Sequence, residues 1–462
     1  MMQVIDNFFV SLSEQLDIPD DQLRLVSCWI MAQPIGFLNH FVRNPLHRQL
    51  YSLLWGLFFN YILLKEWVLF NFSVAVATYV IILLYKKKSG WPVFMFSFGV
   101  MTICHGYRYF TDFYGWKMDF SISLQMMVCK LTYIGFHLTL GKLEKVPSFF
   151  DYISYLYFYP TANMGPTHTY QIYDDFINLR GNYVDMPFGF LSCFKELLWG
   201  IFYLAIYKFV FPIYAPEYFW TEEFRQSSFF YKIYFTHINT VLVRCRYYGA
   251  WKLGQASINA AGISYNGLDE NKKSKFDKII VYRDHYEIAI NPKVKTVDWH
   301  TNVQKWLKDA VHAAFYDHFK SNTKAIIGVF FVSGLWHGIH PAYFIGFAYW
   351  GFLNAIYKCI ENEWDLFKNI PYPIRYAMGY VAINVSIFSI GLPIYLMDMP
   401  RIMEIYKELY YIPLVGLPII LLLCRITGFG KKRRGPKPDN KQKESVKPQQ
   451  QQQNTNENKK DL

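Results

Sequence analysis

The chain has 462 residues, of which 53% are apolar, 20% aromatic and 18% charged, a balance that argues against a set of water-soluble domains and against a disordered chain. Mean hydropathy is only +0.08 because the charges are gathered in loops and in the C-terminal tail, leaving long stretches almost free of them. The net charge of +12 has its largest concentration in that tail, so it does not point to nucleic acid.

Residues 1–22 carry Asp6, Glu14, Asp17, Asp20 and Asp21 and have no basic residue before Arg24. This N-terminal segment lacks the positive region of a cleavable signal peptide, so the first apolar stretch is expected to act as its own insertion signal. Apolar stretches then recur at 23–41, 47–64, 67–85, 91–110, 120–140, 188–211, 229–248, 323–339, 343–360, 376–396 and 409–424. Each approaches the length needed to cross a hydrocarbon core of ~30 Å, so the expected fold is all-α, a polytopic transmembrane bundle of about eleven spans over residues 23–428. Basic clusters at Arg43 and Arg48, at Lys86 to Lys88 and in the tail place those loops and the tail in the cytoplasm and the N-terminus outside. The seven cysteines are scattered without a C-x-x-C pair, which suggests neither a disulfide framework nor a zinc site.

The long polar interruption at 266–298 reads as a functional loop or a segment ordered by the membrane surface. Residues 429–462 form a basic, Gln-rich tail read as disordered and cytosolic, with ten Lys/Arg against four Asp/Glu from Lys431 onward. It either contacts anionic lipid headgroups or simply solubilises the chain end. Its last residues, Lys459-Lys460-Asp461-Leu462, resemble a dilysine retrieval signal, which implies the endoplasmic reticulum membrane.

An ionisable side chain at membrane depth costs at least ~2.5 kcal/mol, so each one raises a functional question. Six of the twelve histidines, His40, His105, His137, His237, His337 and His340, lie in or beside apolar stretches. The ordinary reading of any one is a neutral imidazole bonded to a backbone carbonyl or facing the headgroups. His337 stands out because it ends an uncharged run at Ser333-Gly334-Leu335-Trp336-His337-Gly338, where small residues permit close approach and Pro341 stops the helix. His300 lies at the start of a pattern of Trp299, Val303, Trp306, Ala310 and Ala313 that predicts an amphipathic interfacial helix, with Asp298 as N-cap and His300 and Gln304 on one flank. A structural interfacial helix with a solvated histidine fits that pattern equally well. No metal is expected at His337 and His340, since Pro341 breaks the helix and no carboxylate accompanies them.

Ser333-Gly334-Leu335-Trp336-His337-Gly338-Ile339-His340-Pro341-Ala342-Tyr343 resembles the S-x-x-W-H-G-x-x-P-x-Y signature of the lysophospholipid branch of the membrane-bound O-acyltransferase (MBOAT) family. Residues Trp299 to Leu307 resemble its W-N-x-x-x-x-x-W-L motif, with His300 where that branch usually has Asn. Gly106-Tyr107-Arg108 with Trp116-Lys117-Met118-Asp119, Pro147 to Tyr152 leading to Gly165-Pro166, and Arg246 to Trp251 leading to Asn259 and Gly262 resemble further blocks in the same order. The resemblance implies an MBOAT-type bundle with re-entrant or interfacial helices around a central catalytic chamber. It implies transfer of a fatty acyl group from acyl-CoA, as co-substrate and without a cofactor, to a lysophospholipid hydroxyl. His337 would be the catalytic base and His300 a hydrogen-bonding partner of the thioester carbonyl or acceptor hydroxyl, with Trp336, Trp299, Asn302 and Asn259 contacting substrate. Its partners would be acyl-CoA, lysophospholipid and membrane lipids, with a homodimer left open. Another acceptor, such as diacylglycerol, sterol, glycerol or protein, stays open, as does a transporter that buries histidines along a proton path.

Overall fold

The computed structural model describes residues 2–113, 120–162 and 165–431; the block Trp116 to Asp119 and the tail beyond Lys431 lie outside the described residues. Every predicted apolar stretch is a helix, beginning with Asp20–Asn39, Pro45–Leu64, Val68–Tyr85, Gly90–Thr111 and Phe120–Thr139. The later ones are Phe190–Phe209, Phe229–Ala261, Asn322–His337, Pro341–Asn362, Tyr372–Leu396 and Ile412–Thr427. The N-terminal segment adds a helix of its own, Met2–Leu16.

The count of about eleven spans is not reproduced by length and apolarity. Among the described residues, Pro45–Lys88, Phe190–Phe209 and Tyr372–Leu396 are long and apolar enough to cross a membrane, with a fourth if the pair Met399–Glu408 and Ile412–Thr427, bent by 75°, forms one span. Part of the shortfall is length, since Asn322–His337 has 16 residues, and part is polar or charged residues placed inside helices. Phe120–Thr139 carries Lys130, whose ammonium is buried and donates to the Tyr155 and Leu156 carbonyls at 3.1 and 3.0 Å and to Thr161 Oγ1 at 2.9 Å. Phe229–Ala261 carries buried Lys232, Arg244 and Lys252, each with a carboxylate partner.

Phe229–Ala261 is the long strut of the fold, about 50 Å over its 33 residues. Ser228 caps its start by accepting from the Tyr231 amide, and Gly262 ends it at φ +89°. A Cβ at Gly262 would lie 2.2 Å from the Met186 sulfur, the flexible end of a side chain that can shift, so it is the left-handed backbone that favours glycine there.

The polar segment 266–298 is ordered by bonds to this strut. Gln255 donates to the Ile279 carbonyl at 3.0 Å and accepts from the Val281 amide at 3.0 Å, while Arg244 forms a two-pronged pair with Glu287 at 2.8 Å on each oxygen. Two short helices, His285–Ile288 and Pro292–Asp298, follow and lead to the next functional stretch.

There the predicted single amphipathic helix divides. Asp298 is the last residue of Pro292–Asp298 rather than an N-cap, its carboxylate 3.6 Å from Arg283. His300 occupies the cap position of Thr301–Trp306 in the left-handed region, at φ +45° and ψ +55°. The chain is held in this bend by the Thr301 amide, which donates to the Val281 carbonyl at 2.6 Å. After Trp306 the helix widens to a π-turn over Leu307–His312 and resumes as Ala313–Phe319. Its apolar face packs on the bundle, with Val303, Trp306 and Ala310 buried and Trp306 Nε1 donating to Thr132 Oγ1 at 2.9 Å.

Candidate functional site

His337 is the last residue of Asn322–His337, which starts at the cap Ser321 and breaks at Gly338, φ +156°. His340 then caps the next helix, its Nδ1 accepting from the Ala342 amide at 3.1 Å, and Pro341 supplies the first helical position. This cap commits one ring nitrogen of His340 to the fold. The turn between the two helices leaves the His337 ring between Tyr343 and Phe347, with ring centroids 5.7 and 5.1 Å away and the Phe347 planes 5° apart.

Trp336 joins the two predicted motifs. Its Nε1 donates to the Gln125 carbonyl and its own carbonyl accepts from Gln125 Nε2, both at 2.9 Å, so it is clamped to Phe120–Thr139. Its ring lies 4.8 Å from the His337 ring and 6.2 Å from that of His300. His300 stacks on Trp251 at 4.7 Å, and Trp299 meets Trp251 edge-on at 4.8 Å. Ring contacts with Trp251 and Trp336 help orient His300, and those with Trp336, Tyr343 and Phe347 help orient His337.

Both imidazoles line one cavity of about 440 Å³, together with Trp299, Trp336 and Gln304. That volume suits a small organic ligand or the reacting portion of a larger one. Trp251, Trp299, Trp336, Tyr343 and Phe347 border it beside polar residues such as Gln125, Gln304 and Ser333. Two nitrogen bases facing such a space can take a proton from one bound group and donate a hydrogen bond to another.

The other two predicted contacts lie elsewhere. Asn302, two residues past His300, faces away from this cavity and lines a separate one, because the helix turns it to the far side. Asn259 is buried near the end of the strut, where it accepts from Gln255 Nε2 at 2.9 Å and Ser264 Oγ at 2.6 Å and donates to Ser192 Oγ at 2.8 Å. Those bonds tie three segments together at a place that does not border the cavity.

Sequence reasoning missed Gln125, Trp251 and Arg246. Gln125 and Arg246 line the cavity, and Trp251 is the platform under His300. Arg246 and Trp251 fall in a block already conspicuous for its aromatic residues, whereas Gln125 had no local signal in an apolar stretch.

The description "MBOAT, membrane-bound O-acyltransferase family" matches residues 122–391, more than half of the chain. The chain belongs to the membrane-bound O-acyltransferase family. His300 and His337 both fall inside the matched region of this MBOAT enzyme, as do Trp299, Trp336, Asn302 and Asn259. Among similar proteins is the "Lysophospholipid acyltransferase" of Schizosaccharomyces pombe, 26% identical over an alignment covering 91% of this chain and 89% of the relative. "Membrane-bound glycerophospholipid O-acyltransferase 2" of Mus musculus is 23% identical, covering 90% of this chain and 87% of its own. "Lysophospholipid acyltransferase 2" of Arabidopsis thaliana is 23% identical, covering 89% and 95%. This MBOAT chain is therefore an O-acyltransferase whose likeness to these proteins runs through nearly its whole length.

Proposed function

We propose that the enzyme transfers a fatty acyl group from acyl-CoA to the free hydroxyl of a lysophospholipid. The observation that carries this reading is the facing of His300 and His337 onto one aromatic-walled cavity on either side of Trp336. A hydroxyl of high pKa attacks a thioester slowly unless a base near neutrality removes its proton, and imidazole, at ~6.5 when unperturbed, is matched to that task. His337 takes the hydroxyl proton as the oxygen bonds to the thioester carbonyl carbon. The carbonyl oxygen gains charge and accepts a hydrogen bond from the His300 ring. Collapse of the tetrahedral intermediate breaks the C–S bond, and the proton held by His337 passes to the departing coenzyme A sulfur. The step balances without an acyl-enzyme intermediate.

The relatives' names support a lysophospholipid acceptor. The lining is consistent with it, since Arg108 and Arg246 are among the residues that border the same cavity, beside Asp112, and cationic side chains suit a phosphate-bearing acceptor better than a sterol or diacylglycerol.

The test incubates purified protein in detergent with labelled oleoyl-CoA and a panel of lysophospholipids, diacylglycerol and sterol. Label is expected in diacyl phospholipid. Label confined to triacylglycerol or sterol ester refutes the acceptor, and transfer to nothing in the panel refutes the substrate class.

A further inference from the structure

We infer that Gln304 is a further catalytic residue, whose side-chain amide donates a hydrogen bond to the thioester carbonyl oxygen beside the His300 ring. The inference rests on the acyl transfer proposed above and adds a second donor to it.

The segment that follows Trp299 turns one face to the histidine chamber. Trp299, His300, Gln304 and Leu307 border that chamber, whereas Thr301, Asn302 and Lys305 border the separate cavity on the other side. The Gln304 backbone amide donates to the His300 carbonyl at 3.1 Å, so the two residues stand one helical turn apart. One turn of chain therefore fixes both an imidazole and a carboxamide on the same wall.

Other donors on the wall are already engaged. Gln125 Nε2 is held by the Trp336 carbonyl at 2.9 Å, Arg244 by Glu287 at 2.8 Å, Thr240 Oγ1 by the His237 carbonyl at 2.9 Å and Thr296 Oγ1 by the Pro292 carbonyl at 2.7 Å. The Gln304 side chain is half-buried and bonds to no protein group among the described residues, and neither of its amide atoms is sealed from the chamber. Its hydrogen-bonding capacity is left for an occupant.

A thioester carbonyl has no hydrogen to give, so it needs donors, whereas the attacking hydroxyl already has His337 to receive its proton. As the hydroxyl oxygen bonds to the carbonyl carbon, the C=O electron pair moves onto oxygen, and it returns when the C–S bond breaks. Gln304 shares an N–H with that oxygen throughout and transfers no proton. Two donors on one oxyanion stabilise it more than a single imidazole, and a carboxamide remains a donor at every pH.

The full chain in detergent is tested by two readouts. Gln304→Met keeps the length of the side chain and removes the donor; it is expected to lower kcat with oleoyl-CoA and a lysophospholipid by about 10²-fold, with KM for oleoyl-CoA and melting temperature nearly unchanged. Lys305→Gln, on an exposed side chain of the same turn, is expected to keep the parent rate. The second readout is the infrared carbonyl band of a bound ketone analogue of palmitoyl-CoA, with a methylene between carbonyl and sulfur and carbon-13 at the carbonyl. A donor weakens the C=O bond, so the band is expected at lower frequency in the parent than in Gln304→Met. This band needs no acceptor, so it decides on Gln304 even where label reaches no lysophospholipid and the acyl-transfer reading fails. Gln304→Leu is read in the same way should Gln304→Met melt below the parent. An unshifted band, a kcat within about threefold of the parent, an equal loss in Lys305→Gln, or no saturable binding of the analogue by the parent overturns the inference.

Discussion

Replacing His337 by Ala and His300 by Asn separates the two roles assigned to the imidazoles. The His337 ring contacts Trp336, Tyr343 and Phe347, and such contacts contribute about 0.5–1.5 kcal/mol each, so His337→Ala is expected to lose about 1.5–4.5 kcal/mol of stability and its folding is checked alongside its rate. Removing a general base costs about 10²–10⁴ in rate, equivalent to about 3–5 kcal/mol of barrier. His300 is different in two respects. Its backbone is left-handed, φ +45°, a conformation Asn adopts more readily than most residues, and an Asn amide still offers an N–H to the oxyanion. Complete loss of such a donor costs about 10²–10³, so retaining one limits the decrease in His300→Asn to about tenfold. Initial rates with labelled oleoyl-CoA and a lysophospholipid, paired with melting temperatures of the same preparations, measure both effects. His337→Ala retaining more than about a tenth of the parent rate refutes the base assignment. Equal and complete loss in both folded variants shows instead that the imidazoles act as one unit.

Three further predictions concern the frame around the site. Asn259→Ala removes three hydrogen bonds and leaves buried partners unmatched, so it is expected to destabilise the protein by about 1–3 kcal/mol while leaving KM for both substrates unchanged; a raised KM at unaltered stability restores a substrate contact. Burial pushes the Glu287 carboxyl up, but the Arg244 guanidinium and the Tyr248 hydroxyl outweigh it and hold it below the usual range. Its contribution to stability is therefore present above the unfolded value of about 4.3 and lost as pH falls through the lower folded value, so melting temperature is expected to drop more steeply with acid in the parent than in Glu287→Gln, and parallel curves refute the linkage. Gly262→Ala forces a Cβ into the Met186 sulfur at φ +89°, and a loss above about 1 kcal/mol is expected, whereas an unchanged melting temperature contradicts the geometry of the strut's end.

The helices were legible because apolar stretches of membrane length leave the backbone no other way to pair its polar groups. Which of them cross was not, since Lys130 and Arg244 sit inside helices and are satisfied by carbonyls or carboxylates distant in the chain. His337 was found from its own neighbourhood of small residues, Trp336 and Pro341, all within one turn of the helix end. The face of His300 was readable, but the bend at His300 was not, because it depends on Val281 accepting from Thr301 across a polar segment. For the same reason Asn259 carried no mark of its direction, whereas that of Asn302 was readable from helical spacing. Helical phase puts Asn302 on the other side of its helix, and Asn259 is engaged by serines 67 residues before it and 5 after it.

The π-turn at Leu307–His312 makes chain length, as well as residue type, a determinant of the catalytic geometry. A wide turn accommodates one residue more than ordinary helical winding, and deleting that residue lets the segment close into a regular helix. Closure would rotate His300 by roughly 100° relative to the residues beyond His312 and carry its ring off the shared space with His337. Single-residue shortening here is thus more damaging than most substitutions at the same positions, although it removes no group that takes part in the reaction.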